Sequence, residues 1–374
     1  MITNIRTLLE EMVRLDASDL YAVVDAPPMF RVEGVTSPWG NRGYIPEETE
    51  TLALSLMSQT QKLYFARRWE MNLAISFPDL GRFRVNIHRQ RGYYGLVFRH
   101  IKIDIKTIDD LGLPQVFKNI AMTKRGLALV AGRTGSGKST TLAALIEHRN
   151  SNATGHIVTI EDPIEFVHSH KMSIVTQREI GIDTHGYGSA LKHTLRQAPD
   201  VILIGEVRDT ETMEAAIDYA ETGHLCLATI HANNANQAIE RVMNFFPPER
   251  HRQIYLQLSL NMKAIISQRL IPTIDGWRVA AVEVLLDTPR VKDLIYKGHA
   301  DQLKEVMAEG TMDGMQTFDQ SIFDLYKRGL IDQDNALSYA DSTNDLRLRI
   351  KMEEMGDKKE AMDVHFRLKP DLRR

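Results

Sequence analysis

No part of this chain narrows its possible folds as far as Leu127-Ala-Leu-Val-Ala-Gly-Arg-Thr-Gly-Ser-Gly-Lys-Ser-Thr140. Leu127 to Ala131 is a short apolar run beside glycines, the pattern of a buried parallel strand. Gly132-Arg133-Thr134-Gly135-Ser136-Gly137-Lys138-Ser139 then spells a complete G-x-x-x-x-G-K-S loop, and Leu142, Leu145 and Ile146 follow at helical spacing. Gly132, Gly135 and Gly137 let the backbone curl so that its N–H groups point at phosphate oxygens. The helix start adds partial positive charge at the same place. Lys138 can reach the β- and γ-phosphates, and the Ser139 hydroxyl, with Thr140 beside it, can complete a magnesium shell. Strand, loop and helix in register imply a site for ATP or GTP.

With 374 residues the chain can hold two or three domains, each with its own core. A net charge of −3 supplies no general attraction to nucleic acid. The lone cysteine, Cys226, lies in the apolar run Leu225-Cys-Leu-Ala228 and reads as a core residue. One cysteine excludes an intramolecular disulfide and a cysteine-based zinc site. No signal-peptide core and no run near ~18 apolar residues is present, so the expectation is a soluble, cytoplasmic protein without membrane insertion.

Ahead of the loop, Ile5, Leu8, Leu9, Met12 and Leu15 share one face of an opening helix. Short strands broken by Pro27-Pro28, Gly34, Pro38 and Gly40 follow, then a second helix carrying Leu52, Leu56, Met57 and Leu63. Arg82-Phe-Arg-Val-Asn-Ile-His-Arg89 alternates, with Phe83, Val85 and Ile87 on one face and Arg82, Arg84, Asn86 and His88 on the other. A strand from Gly95 to Ile101 completes a hairpin. Residues 1–103 thus read as a small α/β domain and 104–118 as a linker. The hairpin arginines Arg82, Arg84, Arg89, Arg91 and Arg99 form either a solvated face or a cationic edge able to serve a phosphate.

After the loop, strands repeatedly end in polar residues, as the ligand edge of a parallel sheet requires. His156 to Ile160 ends in Glu161-Asp162-Pro163, Val201 to Ile204 in Gly205-Glu206-Val-Arg208-Asp209, and Leu225 to Ile230 in His231. Gly205 stands where nucleotidases usually end that strand in aspartate, which shifts ion holding towards Glu161 or Asp162. His224 and His231 read as hydrogen-bonding groups at the phosphate edge and not as metal ligands. Beyond Phe245-Phe-Pro-Pro248 the chain reads as largely helical, with Leu256, Leu258, Leu260, Met262, Ile265 and Ile266 as packing candidates. Trp277 to Leu286 reads as a late strand or pair, Asp301 to Tyr339 as two or three helices, and Lys351 to Arg374 as a charged, mobile tail.

In this order the motifs resemble the secretion-ATPase superfamily of type II secretion, type IV pilus and conjugation motors. Thr159-Ile-Glu-Asp-Pro-Ile-Glu-Phe166 is similar to its Asp box, Ile204-Gly-Glu-Val-Arg-Asp209 to its variant Walker B, and Thr222 to Asn233 to its His box. Gly314-Met-Gln-Thr-Phe-Asp-Gln320 is similar to the PilT/PilU retraction ATPases. Pro289 to Gly298 departs from the PilT helix at that place, and Ala336 to Ile350 with the charged extension is similar to the PilU-like branch.

The resemblance implies an α/β fold made of a PAS-like N-terminal domain (1–103), a linker (104–118), a RecA-like P-loop ATPase domain (119–288), a C-terminal helical region (289–350) and a charged flexible tail (351–374). It implies a homo-hexamer using ATP and Mg²⁺ at the cytoplasmic base of the pilus, peripheral to the inner membrane. Its partners would be a PilT-type retraction ATPase and the inner-membrane pilus platform protein, with no nucleic acid. Among site residues, Glu206 is expected to orient or deprotonate the attacking water and Glu161 to join the magnesium shell, two roles open to exchange. Asp162 is the other metal candidate, Arg208 and His231 would sense the γ-phosphate, and Arg84 and Arg99 would approach the phosphates from the N-terminal domain. Two other readings stay open: a subunit that binds ATP and docks on PilT without hydrolysis, and a type II secretion or conjugation ATPase.

Overall fold

The structure, a computed structural model, describes residues 4–101, 104–353 and 355. The chain opens with helix α1 (Ile5–Arg14), whose Asn4 accepts from the Arg6 N–H and whose buried face is Leu8, Leu9 and Met12. Three short strands follow, β1 (Asp19–Ala22), β2 (Met29–Val32) and β3 (Val35–Pro38). The single helix expected around Leu52 to Leu63 is two, α2 (Pro46–Leu56) and α3 (Gln59–Arg68). Met57 turns extended, and Ser58 starts a new helix through a capping box with Gln61, so Leu63 faces solvent. Strands β4 (Glu70–Phe77), β5 (Gly81–Gln90) and β6 (Tyr93–Ile101) close this part as a meander.

These six strands form one antiparallel sheet in the order β3-β2-β1-β6-β5-β4, the PAS-like arrangement. The alternation of β5 is as expected: Phe83, Val85 and Ile87 are fully buried and the intervening arginines are not. Phe30, Phe65 and Phe98 join them in the core under α1 and α2.

After α4 (Val116–Met122), β7 (Gly126–Ala131) runs buried at every residue into the glycine loop and helix α5 (Lys138–Asn152). Then come β8 (Gly155–Glu161), β9 (Ser173–Glu179), α6 (Tyr187–Thr194), β10 (Val201–Ile204), α7 (Thr210–Glu221), β11 (Leu225–Ile230) and α8 (Ala235–Met243). Seven strands order as β13-β12-β7-β11-β10-β8-β9. β7 lies between β11 and β12 and is parallel to both, and β10 is parallel to β11. Cys226 is fully buried on β11, as its apolar run implies.

The stretch beyond Phe245 departs from expectation. Helix α9 (His251–Asn261) is short, and at Met262 the chain becomes strand β12 (Met262–Pro272), paired with β13 (Arg278–Leu286) in an antiparallel hairpin. Leu256 and Leu260 of α9 are exposed, whereas Ile254 and Leu258, four apart, pack inward. Met262, Ile265 and Ile266 are core residues of a strand, where β-branched chains favour extension. The C-terminal helices are α10 (Pro289–Lys297), α11 (Leu303–Glu309), α12 (Phe318–Lys327) and α13 (Gln333–Tyr339), with residues 343–353 also helical. Phe318, Ile322 and Leu346 pack there against Ile271 and Ala281 of the hairpin. The tail expected from Lys351 lies, beyond 353 and 355, outside the described residues.

Residue contacts divide the chain into two compact units, one of residues 1–105 with 158–198, the other of 106–157 with 199–374. No described helix is long and apolar enough to cross a membrane.

Candidate nucleotide and hydrolysis site

The second unit holds the phosphate loop, where β7 ends. A Cβ on Gly132 would lie 2.9 Å from the Gln268 carbonyl oxygen, and one on Gly137, at φ +90°, would lie 2.7 Å from Gln268 Nε2. Only glycine fits the loop against β12 at these two points. Lys138 Nζ donates to the carbonyls of Gly132 (2.8 Å) and Arg133 (3.0 Å), which centres the ammonium inside the loop. Burial pulls the Lys138 pKa down, opposed by the Glu206 charge. The Ser136 hydroxyl oxygen is buried without a hydrogen-bond partner. A donor-rich loop at the start of a 15-residue helix, with the Lys138 ammonium held inside it, is a built anion site.

The neighbouring strand ends bring their polar residues to the same edge. Glu206, just past β10, accepts from Arg208 through Nε and a terminal guanidinium nitrogen, both at 2.8 Å, and from His231 Nε2 at 2.9 Å. Thr229 on β11 donates to the Gly205 carbonyl, joining the two strand ends. Asp209 caps α7 through the Thr212 N–H at 2.9 Å, which fixes the turn carrying Arg208. A carboxylate held between two donors, with its side chain one-fifth exposed, can orient a water and accept its proton. A cavity of about 500 Å³ opens beside Gly132, Arg133 and Thr134, lined also by His231, Asn233, Gln237 and Arg241.

The other expected site residues lie in the first unit. Glu161 accepts from Thr159 Oγ1 (2.6 Å) and Gln177 Nε2 (3.2 Å), and burial pushes its carboxyl above the ordinary range. Asp162 precedes Pro163 directly after it. Arg99 on β6 pairs with buried Asp19 at 2.9 Å, which also draws Arg31 at 3.7 Å, so Arg99 ties β6 to β1. Arg82 approaches Glu179 at 3.5 Å, and burial raises the Glu179 carboxyl against the charges of Arg82 and Arg84. His224, in the second unit, is not at the expected phosphate edge: it precedes β11 at the end that pairs with Gly126, opposite the loop. It is a local hydrogen-bonder, with Nδ1 3.1 Å from Thr222 Oγ1 and 3.2 Å from the Tyr219 carbonyl.

Sequence reasoning missed what supports the loop from beneath. Thr141 on α5 donates to Gln268 Oε1 at 2.7 Å, and both groups are buried. Glu283 on β13, one per cent exposed, accepts from the Ala235 N–H (2.7 Å) and Ser267 Oγ (3.1 Å). The available signals were polar Ser267-Gln268-Arg269 interrupting the apolar run from Ala264 to Ile271, and Glu283 alone in the apolar run from Val279 to Leu286.

The profile of the type II/IV secretion system proteins matches residues 112–277. The chain is 53% identical to the type IV pilus ATPase PilU of Pseudomonas aeruginosa over 92% of this chain and 91% of that one. The chain belongs to the type IV pilus ATPase family. It is 40% identical to the retraction ATPase PilT of the same organism, over 89% of this chain and 97% of the relative. The crystal structure of the pilus retraction motor PilT with bound ADP superposes with a TM-score of 0.84 at 38% identity, covering 92% of this chain and 99% of that one. Like other members of the family, the chain is an ATPase, and the two-part α/β architecture is the one found in PilT.

Proposed function

We propose that this chain is a motor that couples ATP hydrolysis to type IV pilus retraction, in the PilU-like manner and alongside a PilT-type ATPase. The observation that carries the reading is the clamped Glu206 carboxylate beside a complete phosphate loop, since both halves of a hydrolysis site are intact. Lys138 binds the β- and γ-phosphates, Glu206 orients and deprotonates water, and Arg208 and His231 report the γ-phosphate. When bound, Mg²⁺ would screen the phosphate charge, with the Ser139 hydroxyl as its ligand from the loop. Hydroxyl and carboxylate oxygens suit this hard cation, which needs few protein ligands when phosphates supply the rest. Arg84 adds charge at the transition state, whereas Arg99, paired with buried Asp19, keeps a structural role in the sheet. The working form is a homo-hexamer at the cytoplasmic base of the pilus, docked on the inner-membrane platform protein.

A subunit that docks on PilT without hydrolysing ATP would not need the Glu206 clamp, and the matches to type II secretion system protein E, 30–39% identical over 44–73% of this chain, fall short of those to PilU and PilT. Phosphate release by purified protein, followed by retraction in wild type, each single deletion, and a strain holding only this ATPase, tests the reading. Activity in vitro with retraction lost in either deletion is expected. An inactive protein returns it to a docking subunit, and full retraction by this protein alone makes it self-sufficient.

A further inference from the structure

Ser267 and Gln268 are consecutive residues of β12, so their side chains leave opposite faces of the sheet. Gln268 reaches Thr141 on α5 and lies against Gly137 of the loop. Ser267 sits in register with Ala131, the last residue before the loop, on one side, and with Glu283 on the other. Its hydroxyl donates to Glu283 Oε1, and the same oxygen takes the N–H of Ala235. Ala235 is the first residue of α8, four residues after His231, with Asn234 capping the helix through the Gln237 N–H. One buried polar path therefore runs from the helix of the phosphate loop, through two adjacent residues of β12, to the segment that presents His231 to Glu206. A carboxylate in so dry a place costs stability unless its oxygens are used, and this one is used to hold that segment.

We infer that Glu283 is a positioning residue for hydrolysis, fixing the His231 segment against β12 so that the Glu206 clamp is set relative to the phosphate loop. The inference rests on the proposed roles of Glu206 and His231. It assigns Glu283 no contact with nucleotide, so its loss slows turnover while leaving affinity in place.

The test uses the full chain and two readouts, steady-state phosphate release and affinity for a fluorescent ATP analogue. Glu283→Leu should lower kcat by ~10-fold or more and change affinity by less than ~2-fold. Glu283→Gln should stay within ~3-fold of wild type, because the amide oxygen can accept both bonds. If Glu283→Leu does not fold, Ser267→Ala carries the same test, with an expected ~2–3-fold fall in kcat. The decisive comparison repeats the substitution in His231→Ala: a residue acting through His231 should cost less than ~2-fold there. An equal loss in both backgrounds, a parallel loss of affinity, a Gln variant as damaged as the Leu variant, or a His231→Ala variant with full activity overturns the inference. Lys138→Ala serves as the separate control, and hydrolysis surviving in that variant brings down the nucleotide-site reading itself.

Discussion

The phosphate loop and the β12–β13 hairpin pack side by side in one sheet, yet they hold their polar groups in opposite ways. In the loop, glycines expose N–H groups and Lys138 folds over neighbours five and six residues away. In the hairpin, Gln268 and Glu283 are buried, and their partners Thr141 and Ala235 lie far off in sequence. The loop is a local device made for a ligand, and its groups can exchange one partner for another. The hairpin is a fixed support whose hydrogen bonds must all stay made, because an unpaired buried group costs about 1–3 kcal/mol. Rigid backing beneath a responsive edge is what a site must have if a binding event is to move anything besides the ligand.

Lys138→Ala is the largest blow to the responsive half. Hydrolysis should fall by ~10³-fold or more while the fold survives, because Lys138 contacts loop carbonyls and not the core. Phosphate release and a thermal melt read this, and near-normal turnover would dissolve the distinction between ligand device and support. Glu206→Gln comes next, with an expected ~10²-fold fall in kcat and retained ATP binding, since the amide keeps its shape and loses its basicity. A matching loss of affinity would move Glu206 from the water to the nucleotide.

The supporting half should answer to pH. Burial pushes the Glu283 carboxyl up to about 7, with Asp341 adding to the rise and the Ala235 and Ser267 bonds and Arg269 opposing it. A folded pKa above the ordinary carboxyl value of 4.5 means that folding favours the neutral acid. Its contribution is complete below pH 4.5, fades between there and pH 7, and is absent above. Relative to Glu283→Gln, the wild-type protein should therefore lose on the order of 2–3 kcal/mol of stability as pH rises from 4.5 to 8. Denaturant melts of both proteins across that range show it, and parallel curves would place the charge in a wetter site.

The smallest effect is expected in the N-terminal unit. Arg84→Ala should lower kcat ~3–10-fold with little change in nucleotide affinity, if this arginine adds charge at the transition state. Arg99→Ala should instead destabilise the sheet, because buried Asp19 would lose its nearer cation and keep Arg31 at 3.7 Å and the Ser18 hydroxyl. Equal behaviour of the two variants would erase the division between a functional and a structural arginine on one hairpin.

What could be read directly from the amino-acid order was whatever depends on near neighbours. The strand–loop–helix at Leu127–Asn152 follows from glycine placement and helical spacing, and the β5 face from strict alternation. Glu206, Arg208 and His231 were legible as strand endings because a parallel sheet gathers such endings on one edge. Leu256 and Leu260 misled because α9 turns Ile254 and Leu258 to the core and the residues two further along to solvent, and β12 begins two residues after Leu260. Gln268, Thr141, Ser267 and Glu283 carried no motif. Only the pairing of β12 with β7 and β13 decided that they meet, because a buried hydrogen bond is set by which backbones lie side by side. That choice is made by the packing of the whole sheet, over separations of up to 127 residues along the chain.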